Sequence, residues 1–108
     1  MNNEAIEKIA DTYGYDAQSR QLIEEMAELT VALNKYHRGL EDFRKSLNPP
    51  PSKKPLPLKQ LENVIEEIAD VTIMLEQIKY LLSISDTDID QIIEQKLNRQ
   101  LERIEKNE

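Results

Sequence analysis

Five prolines fall within nine residues, at Pro49, Pro50, Pro51, Pro55 and Pro57. No regular element runs through such a stretch, because each ring removes a backbone donor and clashes with the preceding turn of a helix. The chain is cut in two, and on both sides of the cut apolar residues recur every three or four positions, the spacing of amphipathic helices. Ile6, Ile9, Ala10 and Tyr13 mark a short first helix over about residues 3–12, ending near Gly14. Asp16 then opens a second helix over about 17–38, with Gly39 as its stop signal. Over 40–58 the periodicity dissolves into an extended, partly polyproline connection whose length favours partial disorder. Its Lys53 and Lys54 are either part of a solubilising spacer or cations that swing over bound phosphates. A third helix covers about 59–82. Ser83 or Ser85, with Asp86 and Asp88, opens a fourth that carries Ile89, Ile93, Leu97, Leu101 and Ile104 as one stripe. With no strand signal, internal repeat or glycine-rich phosphate loop, the expected fold is all-α: one domain over 1–108, built as an antiparallel helical hairpin or bundle.

Two acidic clusters interrupt these helices. Glu25 and Glu28 stand three apart and Glu24 and Glu28 four apart, so the three carboxylates share one sector, opposite an apolar stripe of Leu22, Met26, Leu29 and Leu33. On the third helix Glu67 and Asp70 stand three apart, and Asp70 interrupts a stretch over 68–75 that is apolar nearly all round. Such a stretch is normally buried, where an unpartnered carboxylate would cost several kcal/mol or take up a proton. Solvated charges or pairs with nearby lysines and arginines are the plain explanation of helix acids. Two clusters on successive long helices point instead to one divalent cation. A donor set made of oxygen, with no cysteine and one histidine, favours Mg²⁺, with Mn²⁺ as a substitute.

A chain of 108 residues with 39% hydrophobic content and one Phe allows a modest core. Its helices would each leave an apolar stripe exposed unless they found partners, so a homo-oligomer, dimer or tetramer, is expected. The net charge of −7 argues against binding a nucleic-acid polymer or an anionic membrane. It does not argue against a small nucleotide whose phosphates arrive bridged to a metal. The absence of cysteine, of an apolar targeting stretch and of an apolar run of membrane-spanning length suggests a soluble protein, with the cytoplasm as the default location.

The EExxE pattern of Glu24, Glu25 and Glu28, followed on the next long helix by the ExxD of Glu67 and Asp70, resembles the MazG-like, all-α nucleoside triphosphate pyrophosphatase superfamily. The resemblance covers most of the chain, taking in the helix-opening segment DAQSRQLIEE and the closing segment KLNRQLERI. It implies a four-helix bundle completed by a second chain, Mg²⁺ held by Glu24, Glu25, Glu28, Glu67 and Asp70, and Glu24 or Glu25 as general base. It also implies that Lys96, Arg99 and Arg103 meet phosphate; their spacing alone, on one flank of the apolar stripe, suits surface pairs with neighbouring glutamates equally well. The implied reaction is Mg²⁺-dependent hydrolysis of a nucleoside or deoxynucleoside triphosphate to the monophosphate and pyrophosphate, in nucleotide-pool control or house-cleaning. A pyrophosphohydrolase of the same superfamily acting on a phosphoribosyl-nucleotide, or a non-catalytic helical dimer serving as an interaction module, are the alternatives.

Other chemistries find less support. Asp86, Asp88 and Asp90 resemble the start of a calcium loop, but Gln91 and Leu97 stand where that loop needs glycine and a bidentate glutamate. A single histidine, His37, excludes a di-iron bundle built on paired Glu-x-x-His motifs. No cysteine and no serine–histidine pairing support a covalent nucleophile, which leaves water as the attacking group. Tyr13, Tyr15, Phe43 and Tyr80 are more readily explained by packing than by base stacking.

Overall fold

The computed structural model describes residues 1–47 and 55–107. Within them the chain is all-α, with three elements: α1 (Asn3–Ser46), α2 (Leu58–Leu81) and α3 (Asp86–Asn107). The spacer or lid expected at Lys53 and Lys54 lies outside the described residues.

The side chain of Asn2 caps α1, its Oδ1 accepting from the Ala5 amide at 3.1 Å. The break expected near Gly14 is present, since Gly14 is the one non-helical residue inside α1, at φ 83° and ψ 170°. Only glycine adopts that backbone without strain, and the space where a Cβ would point is open. Helical geometry resumes at once, so the two expected helices form one kinked element.

The expected stop at Gly39 is corrected: α1 continues through it to Ser46. Gly39 serves close approach instead. A Cβ built there would lie 2.7 Å from Cβ of Pro57, which is itself buried just ahead of α2. Proline contributes through its rigid ring at the point where the second helix departs, and glycine through the Cβ it lacks.

From that contact the two helices run antiparallel. Gly39 meets Pro57, Gln18 meets Gln77, and Asp11 accepts from the Tyr80 hydroxyl at 2.8 and 3.0 Å. Between them lies a thin core of Ile6, Ala10, Ala32, Val64 and Met74, joined by the buried amides of Gln18 and Gln77.

α2 ends in a Schellman-type turn, with the Ile84 amide donating to the Lys79 carbonyl at 2.9 Å and the Ser83 amide to the Tyr80 carbonyl at 3.1 Å. Ser83 takes the left-handed position, at φ 54°. Ser85 then caps α3, its Oγ accepting from the Asp88 amide at 3.2 Å, and Lys79 bridges Glu76 at 2.9 Å and Asp86 at 2.6 Å. Beyond this point α3 packs against neither α1 nor α2, and none of its residues is buried. The radius of gyration is accordingly 19.1 Å, against about 13 Å for a compact chain of this length. Among the described residues no helix is long and apolar enough to cross a membrane.

Candidate metal centre

Glu25 and Glu28 occupy successive turns of α1 on the side that faces α2, and the antiparallel pairing brings Glu67 of α2 opposite them. One carboxylate oxygen from each of the three lies within 4.8 Å of the other two. Octahedral Mg²⁺ sets its ligand oxygens about 3–4 Å apart, given bonds of about 2.0–2.1 Å. The three acids are close enough together that they could hold a metal ion.

Their hydrogen bonding is incomplete. Gln21, one turn before Glu25, donates its Nε2 to Glu25 Oε1 at 2.8 Å, which holds that carboxylate in place. Glu25 Oε2 and Glu67 Oε2 are buried and have no hydrogen-bond partner. Leaving such oxygens without a donor is costly. Among the described residues no lysine or arginine forms an ion pair with Glu25, Glu28 or Glu67. The alternative reading of these acids as salt-bridge partners finds no cation for them. Glu67 shows the electrostatic consequence. Burial first, then the charges of Glu28, Asp70 and Glu25, raise its carboxyl above the ordinary value. An oxygen-only donor set with excess negative charge and two orphaned lone-pair sites fits a hard divalent ion.

The other expected ligands stand nearby without joining the three. Glu24 and Asp70 are exposed, although the charge of Asp70 still reaches Glu67. The expected burial of the 68–75 stretch is corrected as well. Met74 is buried, whereas Ile68, Ile73 and Leu75 are exposed, because α1 covers only one side of a helix that is apolar on most sides. Lys96, Arg99 and Arg103 are exposed on α3, which does not pack on the helices carrying the acids.

A groove of about 460 Å³ adjoins the acids, with Glu28 and Glu67 at one end and Lys35, Gln60 and Asn63 beyond them. These three residues were not anticipated. Lys35 stands two helical turns from Glu28, and Gln60 and Asn63 stand seven and four residues before Glu67, spacings that share a helix face. Extending the acidic faces along each helix finds them.

No protein-family model, curated protein or solved structure matches this chain.

Proposed function

We propose that this protein is a Mg²⁺-dependent pyrophosphohydrolase that converts a nucleoside or deoxynucleoside triphosphate to the monophosphate and pyrophosphate, acting as a homo-oligomer. The observation that carries the reading is the pair of buried, unpartnered oxygens of Glu25 on α1 and Glu67 on α2, gathered with Glu28 between the two antiparallel helices. Combined with the EExxE and ExxD pattern, it gives the acids a purpose that helix-face solvation does not.

Glu25, Glu28 and Glu67 would hold the cation, with Asp70 and Glu24 next to them on the same helices. When bound, Mg²⁺ would screen the phosphate charges and acidify a nearby water. The chain's own work is positional. Gln21 fixes the Glu25 carboxylate, and Glu24 or Glu25 accepts the proton of the water that attacks the α-phosphorus. The bond from that phosphorus to the bridging oxygen breaks, and pyrophosphate leaves. Lys96, Arg99 and Arg103 would meet the phosphates only if a second chain carried α3 across the site. Five exposed aliphatic side chains on α3, Ile92, Ile93, Leu97, Leu101 and Ile104, support such an association.

The test is release of monophosphate and pyrophosphate from a panel of ribo- and deoxyribonucleoside triphosphates in Mg²⁺ or EDTA, with Glu25→Gln and Asp70→Asn beside the native protein. Mg²⁺-dependent release of both products, lowered on the order of 10²-fold or more in the variants, supports the reading. No release by the folded oligomer directs attention to a phosphoribosyl-nucleotide substrate. If that too is left intact, the helical interaction module, whose exposed apolar faces are its physical basis, takes its place.

A further inference from the structure

α1 and α2 each carry an apolar stripe that the hairpin leaves largely open. On α2, Leu58, Leu61, Ile65, Ile68, Thr72 and Leu75 follow one another at alternating steps of three and four. On α1, Leu22, Met26, Leu29 and Leu33 do the same. This 3.5-residue repeat is the one with which helices of a bundle interlock. Ala32, Pro57 and Val64, buried between the two helices, each stand one place before a stripe residue, so the stripes run beside the seam of the hairpin. Counted at about 100° per residue from Ala32 and Val64, both stripes turn one way around their helices. The groove residues Val31 and Lys35 on α1, and Gln60 and Asn63 on α2, turn the other way. The groove and acids therefore occupy one face of the hairpin, and the two stripes lie together on the opposite face.

We infer that this face is covered by the same face of a second copy, so that two hairpins pack stripe to stripe and the grooves beside the acids open on the two outer sides. The inference gives the homo-oligomer of the proposed reading a specific seam and rests on that part of it alone. Seven of the ten stripe residues are between 38% and 62% exposed. Together they offer roughly 700 Å² per chain, close to the ~800 Å² that each partner contributes to a standard interface. No charged residue occupies a stripe position, although 32% of the chain is charged, which leaves a partner of strong charge nothing to pair with. Thr72, the one polar member, already donates its hydroxyl to the Ile68 carbonyl at 2.7 Å and can be covered without an unmet donor. The period selects the occupant. Ile89, Ile93, Leu97, Leu101 and Ile104 of α3 recur at three steps of four and one of three, a longer repeat that winds the opposite way, whereas the hairpin face matches its own copy. α3 adds to the association from the far end of α2 and does not form this seam.

Light scattering tests the seam, and because it reads mass rather than turnover its outcome is separate from whether the acids hydrolyse a nucleotide. Ile65→Glu with Ile68→Glu is expected to lower the mass of the native oligomer by about half or more. Glu66→Lys, between them in sequence but outside the stripe, is expected to leave it unchanged. Circular dichroism verifies that the variants fold. The native chain supplies a second reading that needs no substitution, since Met1, Met26 and Met74 are 70%, 42% and 6% exposed in the single chain. Under hydrogen peroxide Met26 of the oligomer is expected to oxidise about fivefold or more slowly than Met1, because the second copy shields its thioether. A third reading uses the absence of cysteine from the chain: Ile68→Cys is expected to crosslink to itself through a short bis-maleimide. A monomeric native chain, a mass unchanged by the two glutamates, or Met26 oxidised as fast as Met1 overturns the inference. So does crosslinking of Ile68→Cys only when it is mixed with Leu97→Cys, which would place α3 of the second copy on this face.

Discussion

Gln18 donates its side-chain amide to Oε1 of Gln77 over 2.7 Å in the middle of the α1–α2 interface. Gln77 is 1% exposed, and its own Nε2 lies 3.6 Å from the Met74 sulfur, a weak acceptor. Two buried amides in so thin a core set the register of the hairpin, because a slip of one turn along either helix would leave both unpaired. Glu25 follows Gln18 by seven residues and so shares its helix face. The register that satisfies the amides is the one that brings Glu25 and Glu28 to Glu67.

Gln77→Leu removes the acceptor and leaves the Gln18 amide buried without a partner, at an expected cost of about 1–3 kcal/mol. The double variant Gln18→Leu, Gln77→Leu replaces both amides with apolar groups of similar size and is expected to recover most of that loss. Urea denaturation of the two single variants and the double variant measures this. A double variant as unstable as the sum of the singles would reject the amide pair as the cause.

The raised carboxyl of Glu67 makes stability depend on pH with a definite sign. The folded chain holds a proton there that the unfolded chain releases. Between the ordinary carboxylate value and the raised one, metal-free stability therefore falls as pH rises. Burial is the first cause, followed by the charges of Glu28, Asp70 and Glu25. In EDTA, Glu67→Gln is expected to remove this part of the pH dependence and to raise the melting midpoint near neutral pH. Mg²⁺ is expected to raise the midpoint of the native protein by mass action, about 2.7 kcal/mol at a hundredfold excess over Kd, and to have little effect on the variant. Melting curves across pH, in EDTA and in Mg²⁺, check both.

Glu25, Glu28 and Glu67 were legible in the sequence because carboxylates three apart on one helix, repeated on the next, form a pattern that needs no tertiary information. The α3 stripe was legible for the same local reason, and its cap down to Ser83 or Ser85, of which the structure uses Ser85. Gly39 was not, since a glycine that ends a helix and one that admits a neighbouring proline look alike until the chain has folded back. Gln18 and Gln77 give no such signal, because amphipathic patterns count amides as solvent-facing. Lys35, Gln60 and Asn63 acquire their meaning only when α1 and α2 pair in one particular register.

Gly39→Ala sets two effects against each other. Alanine inside a helix gains about 1 kcal/mol over glycine, but its Cβ would sit 2.7 Å from a rigid proline ring at Pro57. Overpacking of this kind costs about 1–3 kcal/mol, so the net expectation is loss of stability. Replacing Pro57 with glycine in the same background removes the clashing ring and is expected to restore part of the loss. Equilibrium denaturation of the three chains decides it, and a Gly39→Ala variant more stable than the native protein would show that the close approach is not maintained in solution.

The apolar side of α3 gives the sharpest prediction about assembly. Leu97, Leu101 and Ile104 are each 58% exposed, and among the described residues no other helix packs against them. In proteins most of a helix's stability comes from packing its amphipathic face, so α3 is expected to need a partner surface to stay fully ordered. The native protein is expected to run as a dimer or tetramer in light scattering. Leu97→Lys with Leu101→Lys places two charges in the stripe, which should shift the population toward monomer. The same variant should lose far-UV helical signal, because α3 frays once its stripe is left in water, while α1 and α2 remain paired through Gln18 and Gln77. A native chain that is monomeric yet keeps α3 fully helical would remove the physical case for association, and with it the route proposed for Lys96, Arg99 and Arg103 to meet phosphate.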